Sequence, residues 1–136
     1  MKKSSTGLLA GAIMLCVGMI VGQAFQFIFP SIKNEYLNQS LFRPWSDPLM
    51  SSCLLQPFLV GIILAYLWEW TKGIIKGETS IAKGLNFGLT YWIISIPGMW
   101  MSYGSFPISL ILTISWSATI LVQAICSGIL FSKMLK

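Results

Sequence analysis

The chain has no histidine and only four acidic residues, Glu35, Asp47, Glu69 and Glu78. Without histidine there is no histidine-dependent triad, histidine metal site or histidine-ligated haem. The three cysteines, Cys16, Cys53 and Cys126, fall on three different predicted helices and form no C-x-x-C pair. That argues against a thiol relay, and they read as small apolar packing residues. Charge is scarce altogether, at 10% of residues against roughly a quarter in soluble domains. The expectation is a protein with no enzymatic activity, no cofactor and no metal.

What is abundant is apolar: 55% of residues. Four stretches, residues 7–29, 49–68, 81–101 and 107–131, are each long enough to cross a hydrocarbon core of about 30 Å, which takes about 20 helical residues. The fold class expected is all-α: a polytopic membrane four-helix bundle forming one transmembrane domain over residues 1–136. Between the helices lie a polar loop at 30–48, a short basic loop at 69–80 and a tight connection at 102–106. Lys2, Lys3, Lys72, Lys76, Lys83, Lys133 and Lys136 fall on one side, with only Lys33 and Arg43 on the other. By the positive-inside rule both termini of this multi-pass chain are cytoplasmic. The net charge of +5 is therefore a topology signal and gives no reason to invoke nucleic acid. Lys2-Lys3, the apolar run and Gly22-Gln23-Ala24 also have the form of a cleavable signal, but the segment is expected to be retained as the first helix. No lipoprotein signature precedes Cys16, because Ile13-Met14-Leu15 is too bulky.

A repeat with an offset of 77 residues is suggested by Gly7-Leu8, Gly11 and Phe29-Pro30, which match Gly84-Leu85, Gly88 and Phe106-Pro107. It would make the bundle two tandem helical hairpins in parallel orientation. Asp47-Pro48 reads as a helix cap followed by proline in the first turn. Pro97-Gly98 is expected to kink the third helix or end its ladder early, and Pro57 could act likewise in the second. Such irregular backbone is expected to face inward. Small residues four apart, Gly7/Gly11, Gly18/Gly22, Gly61/Ala65, Gly84/Gly88 and Ala124/Gly128/Ser132, mark faces where backbones approach closely. They would serve packing within the chain or a homo-oligomer interface.

Candidate chemistry is sparse. Glu35 and Asp47 share the outer loop, but Asp47 already has a capping role, so an acid/base pair is the weaker reading. Asn38-Gln39-Ser40 fits a glycosylation sequon and matters only in a eukaryotic source. Glu69 lies about 20 residues after Pro48, at the cytoplasmic interface. With Trp68, Trp70 and Lys72 it reads as an interfacial anchor: an aromatic belt plus an ion pair three residues apart. Gln23 and Gln26 near the outer end of the first helix, with Ser52 and Gln56 on the second and Thr113 on the fourth, would form a polar cluster facing the bundle interior. That cluster is either a small outer-leaflet cavity for a lipid headgroup or polar solute, or a set of interhelical hydrogen bonds. Asn86, Thr90 and Gln123 make a second, more cytoplasmic set with the same two readings. Tyr91, Trp92 and Trp116 lie away from both interfaces, and core packing or a partner contact would account for them.

The segments Arg43-Pro44-Trp45-Ser46-Asp47-Pro48-Leu49-Met50, Lys83-Gly84-Leu85-Asn86-Phe87-Gly88 and Ile96-Pro97-Gly98-Met99 resemble those of small uncharacterised bacterial membrane proteins with four helices. The resemblance implies an inner-membrane location and no particular activity. The first helix lacks the embedded carboxylate of small multidrug exporters. The function expected is that of an accessory subunit or partner in a membrane assembly, acting by helix packing among membrane lipids, with a protein partner or a second copy. The alternative is a carrier or binder of lipid or a small neutral solute.

Overall fold

The computed structural model describes residues 3–136; Lys2, counted above in the basic side, lies outside them. The described residues form α1 (Lys3–Ile28), α2 (Pro30–Leu37), α3 (Pro48–Ser51), a 3-10 turn (Ser52–Leu54), α4 (Gln56–Thr71), α5 (Ser80–Ser105) and α6 (Leu110–Met134), with no strand. Three segments, Lys3–Ile28, Pro48–Thr71 and Leu110–Met134, are long and apolar enough to cross a membrane. The chain is thus all-helical and of membrane type. α5 is as long, at 26 residues, and carries Asn86, Pro97 and several serines along its length.

Local chemistry sets the helix starts. The Thr79 side chain accepts from Ala82 N and the Ser109 side chain from Leu112 N, capping α5 and α6. Pro30 stands in the first turn of α2, where its missing N–H costs nothing. Asp47 caps α3 through Leu49 N, as its position before Pro48 suggested. Three features differ from expectation. The outer loop is not all loop: α2 fills its first half because Ile32 is buried (1% exposed) against Ile108 and Leu112. The segment 48–71 is broken by the 3-10 turn just ahead of Pro57, which opens α4. α5, by contrast, runs on through Pro97, and both Pro97 and Gly98 are exposed instead of facing inward.

Glycine seams hold the long helices in pairs. A Cβ on Gly7 would stand 2.6 Å from Ile62 Cα and one on Gly11 2.5 Å from Phe58 Cα, while one on Gly61 would strike the Gly7 carbonyl. These contacts fix an antiparallel register between α1 and α4. The α5–α6 pair repeats the construction: a Cβ on Gly84 would meet Gly128 O at 2.5 Å, one on Gly88 would meet Ala124 O at 2.6 Å, and one on Gly128 would strike the Gly84 carbonyl. In both hairpins a Gly-x-x-x-Gly on the first helix receives a single glycine of the second. Only backbones without side chains can approach this closely.

The hairpins join through α1 and α6, so the long helices lie in the order α4, α1, α6, α5, with α4 touching α6 only slightly. The arrangement is open. The described chain exposes 8542 Å², above the roughly 7,100 Å² of a compact soluble protein of this mass. Two cores close its two ends. At one end Ala10, Met14, Leu64, Trp68, Phe87 and Phe131 pack together; at the other Ile32, Ile108 and Leu112 are joined by Phe25, Tyr36, Phe42 and Trp116.

Candidate functional site

The first end is basic: the start of α1, the end of α4, the start of α5 and the end of α6 meet there. Glu69 Oε1 accepts from Lys72 Nζ at 2.6 Å, and its Oε2 pairs with Lys3 Nζ at 3.3 Å. The ion pair read from the sequence is present, and it also ties α1 to α4. Lys72 Nζ donates further to the carbonyls of Leu135 (3.3 Å) and Lys136 (3.1 Å), and Trp68 Nε1 donates to Leu135 O at 3.0 Å. Trp68 is therefore not a belt residue. It is buried at 3% exposure, edge-on to Phe87 with ring centroids 5.4 Å apart, and it satisfies a carbonyl that the end of α6 leaves without a helical donor. Trp70, at 75% exposure, has the exposed placement expected of the belt.

At the opposite end the two loop carboxylates have separate tasks. Glu35 Oε2 accepts from Ser109 N at 2.9 Å, in front of α6. Asp47 accepts from Leu49 N (2.9 Å) and from Arg43 Nη1 (2.9 Å); the amide first and the guanidinium second hold its carboxyl below the usual range. Neither is arranged toward the other as an acid/base pair. Trp116 Nε1 donates to the Tyr36 hydroxyl at 2.6 Å, and Trp92 Nε1 donates to Ser117 at 3.0 Å, so both tryptophans are packing residues with satisfied indoles.

The glutamine cluster does not assemble. The Gly7–Ile62 and Gly11–Phe58 contacts place Gln56 level with about residue 13 of α1, some ten residues and roughly 15 Å along the axis from Gln23. Gln23, Gln56 and Ser52 are exposed; Ser52 donates to Leu49 O at 2.6 Å and Thr113, buried, to Ser109 O at 3.1 Å. The second polar set also divides. Gln123 Nε2 crosses from α6 to donate to Met14 O of α1 at 2.7 Å, passing over Gly18, where a Cβ would stand 2.6 Å from that nitrogen. Gly22 has no atom within 4 Å of such a Cβ. Gly18→Ala and Gln123→Leu should each cost about 1 kcal/mol, the scale of an interhelical hydrogen bond in a membrane. Their double variant should cost little more than either alone when unfolding is followed by titration with a denaturing detergent, because both remove the same bond.

Asn86 and Thr90 go elsewhere. They line a cleft of about 500 Å³ between α4 and α5, where the two outer helices of the row diverge. Leu64 and Leu67 form one wall, Phe87, Tyr91 and Ile94 the other, and Ile74 and Ile75 of the α4–α5 connector form one end. Thr71, Lys76 and Asn86 stand at that connector end, with Thr90 one turn farther along α5. Asn86 Nδ2 donates to Lys76 O at 2.7 Å, latching the connector to α5. Gly77 allows the close approach, since a Cβ there would stand 2.7 Å from Lys83 N. Thr71 and Thr90 spend their hydroxyls on Leu67 O and Asn86 O. The cleft therefore presents an apolar trough with a cation at one end and no acid in its lining, the anatomy of a small-ligand site in size and polarity. Sequence reasoning singled out Asn86, Thr90 and Tyr91 but not Lys76 or the isoleucines of the connector, whose placement depends on how the loop folds back. Among the described residues no group of three metal-ligating side chains occurs. Comparison with protein-family models, curated proteins and solved structures found no match, so the cleft's chemistry is read from its own residues.

Proposed function

We propose that the chain is a four-span, non-enzymatic protein of a bacterial inner membrane that holds an apolar membrane component, a lipid or a small neutral solute, in the cleft between α4 and α5. α5 is taken as the fourth span because it packs antiparallel along α6 through the Gly84/Gly88/Gly128 seam, and a helix aligned with a span shares its slab of hydrocarbon. The bundle is then two tandem hairpins, α1 with α4 and α5 with α6, with the basic end and both termini in the cytoplasm.

The observation that carries the reading is the cleft itself: about 500 Å³, apolar along its walls and polar at one end. It sits at the cytoplasmic depth of the bundle, not in the outer leaflet where the glutamines suggested a cavity. The reading as an accessory subunit drew on the glycine faces, and Gly7, Gly11, Gly61, Gly84, Gly88 and Gly128 are occupied inside the chain. That reading loses its main support.

The test is native mass spectrometry of protein extracted gently from its own membrane. A repeatable small mass should be retained, and Thr90→Trp, which fills the cleft, should lower its affinity about fifteenfold, the cost of excluding two buried methylenes at about 0.8 kcal/mol each. Val122→Trp on α6, outside the cleft lining, should leave it unchanged. A defined partner protein in place of the small mass would return the reading to a subunit of a larger assembly.

A further inference from the structure

We infer that the occupant of the α4–α5 cleft is an anionic phospholipid of the leaflet at the basic end, with one acyl chain between the helices and its phosphate on Lys76. The inference rests on the cleft reading and adds the ligand's class.

Three observations point the same way. First, polarity along the cleft is graded as in a lipid. Thr71, Lys76 and Asn86 lie at the connector, and Leu64, Leu67 and Ile94 lead away from it. A transmembrane helix of a partner would present apolar surface along its length and would leave a cation at one end without a counterpart. A neutral solute would do the same.

Second, Lys76 is anchored through its backbone, and its exposed ammonium is uncompensated. Its carbonyl is latched by Asn86 at 2.7 Å, while no carboxylate among the described residues pairs with its ammonium. Of the other cations at this end, Lys83, Lys133 and Lys136 also lack a carboxylate partner among the described residues but do not line the cleft, and two more are already committed. Lys72 is committed to Glu69 and to the carbonyls at the end of α6, and Lys3 to Glu69.

Third, the field at this end favours an anion. Lys3, Lys72, Lys76, Lys83, Lys133 and Lys136 stand there against two carboxylates, Glu69 and Glu78, and Glu69 is already paired. A lysine at the membrane surface attracts anionic lipid with about 1 kcal/mol, equivalent to about fivefold in affinity.

The experiment compares retention of phosphatidylglycerol and phosphatidylcholine with identical acyl chains, by native mass spectrometry from mixed micelles containing equal amounts of both. The wild-type chain should retain phosphatidylglycerol about fivefold over phosphatidylcholine. Lys76→Gln should abolish the preference, lowering phosphatidylglycerol retention much more than that of phosphatidylcholine, whose choline already offsets its phosphate. Thr90→Trp should lower retention of both. Lys133→Gln, an exposed position on the last turn of α6, should keep the preference; a loss equal to that of Lys76→Gln would mean that general surface charge is responsible, and would overturn the inference. Equal retention of both lipids by the wild-type chain, with Thr90→Trp still reducing it, would also overturn the headgroup assignment and leave the apolar cleft standing. Retention untouched by Thr90→Trp would remove both.

Discussion

Gly128→Ala should be among the most damaging single-methyl additions to this chain, and Gly61→Ala its counterpart in the other hairpin. Each glycine faces a partner backbone: a Cβ on Gly128 would run into the Gly84 carbonyl, and one on Gly61 into the Gly7 carbonyl. A flexible side chain can swing aside, but a helical carbonyl cannot move without separating the two helices. Overpacking a filled interior costs about 1–3 kcal/mol, and contact with backbone puts both variants at the upper end, about 3 kcal/mol. Gly22→Ala is the control. It meets nothing within 4 Å, and alanine suits a helix better than glycine by roughly 0.5–1 kcal/mol, so it should be neutral or stabilising. Unfolding in mixed micelles, followed by helical circular dichroism against a denaturing detergent, would rank the three. If Gly22→Ala fell as far as Gly128→Ala, the loss would reflect glycine content in general and the seams would not be what holds the hairpins.

Much of this was legible in the sequence because hydrocarbon thickness sets helix length. The run 107–131 appears as Leu110–Met134, and 81–101 lies within Ser80–Ser105. The seams were legible too, since Gly7/Gly11, Gly84/Gly88 and Gly128 share four-residue spacing. Which glycine meets which was not, because spacing defines a face but not its partner. The glutamine cluster failed for a related reason. The sequence sets Gln56 only two turns after Pro48 and so near the outer end of a regular helix, whereas the α1–α4 register puts it level with the middle of α1. α2 is hard to read because Pro30–Leu37 is only eight residues long and packs through Ile32 and Tyr36, and a single i, i+4 pair is too short a run to establish a helical period. Tyr91 was recognisable as misplaced for a belt residue, and it does line the cleft. In the sequence Lys76 is one of several loop lysines, and its place in the cleft lining, with its backbone latched by Asn86, is what sets it apart.

Trp68 stands where hydrocarbon thickness places a belt residue, yet it is buried, and it carries the other large expected effect. Replacing it by alanine should cost about 3–5 kcal/mol, the range for removing a buried tryptophan. Three losses coincide: the packing of a side chain with 3% exposure, the edge-on contact with Phe87 at 5.4 Å and the indole bond to Leu135 O. Trp68→Phe keeps most of the first two. Lys72 Nζ still reaches the same carbonyl at 3.3 Å, so the loss there should be only about 1 kcal/mol, that of one hydrogen bond. The effect should also be localised. α4 and α6 touch little along their length, so Trp68 is a main tie between the hairpins at the basic end, and its removal should speed amide exchange in the last turn of α6 before the rest of the helix responds. Trp70→Ala, two positions along and 75% exposed, should change stability by less than about 0.5 kcal/mol and leave that exchange as it was. Equal effects from the two tryptophans would mean that both act as interfacial anchors and that the hairpins are joined through the α1–α6 contact alone.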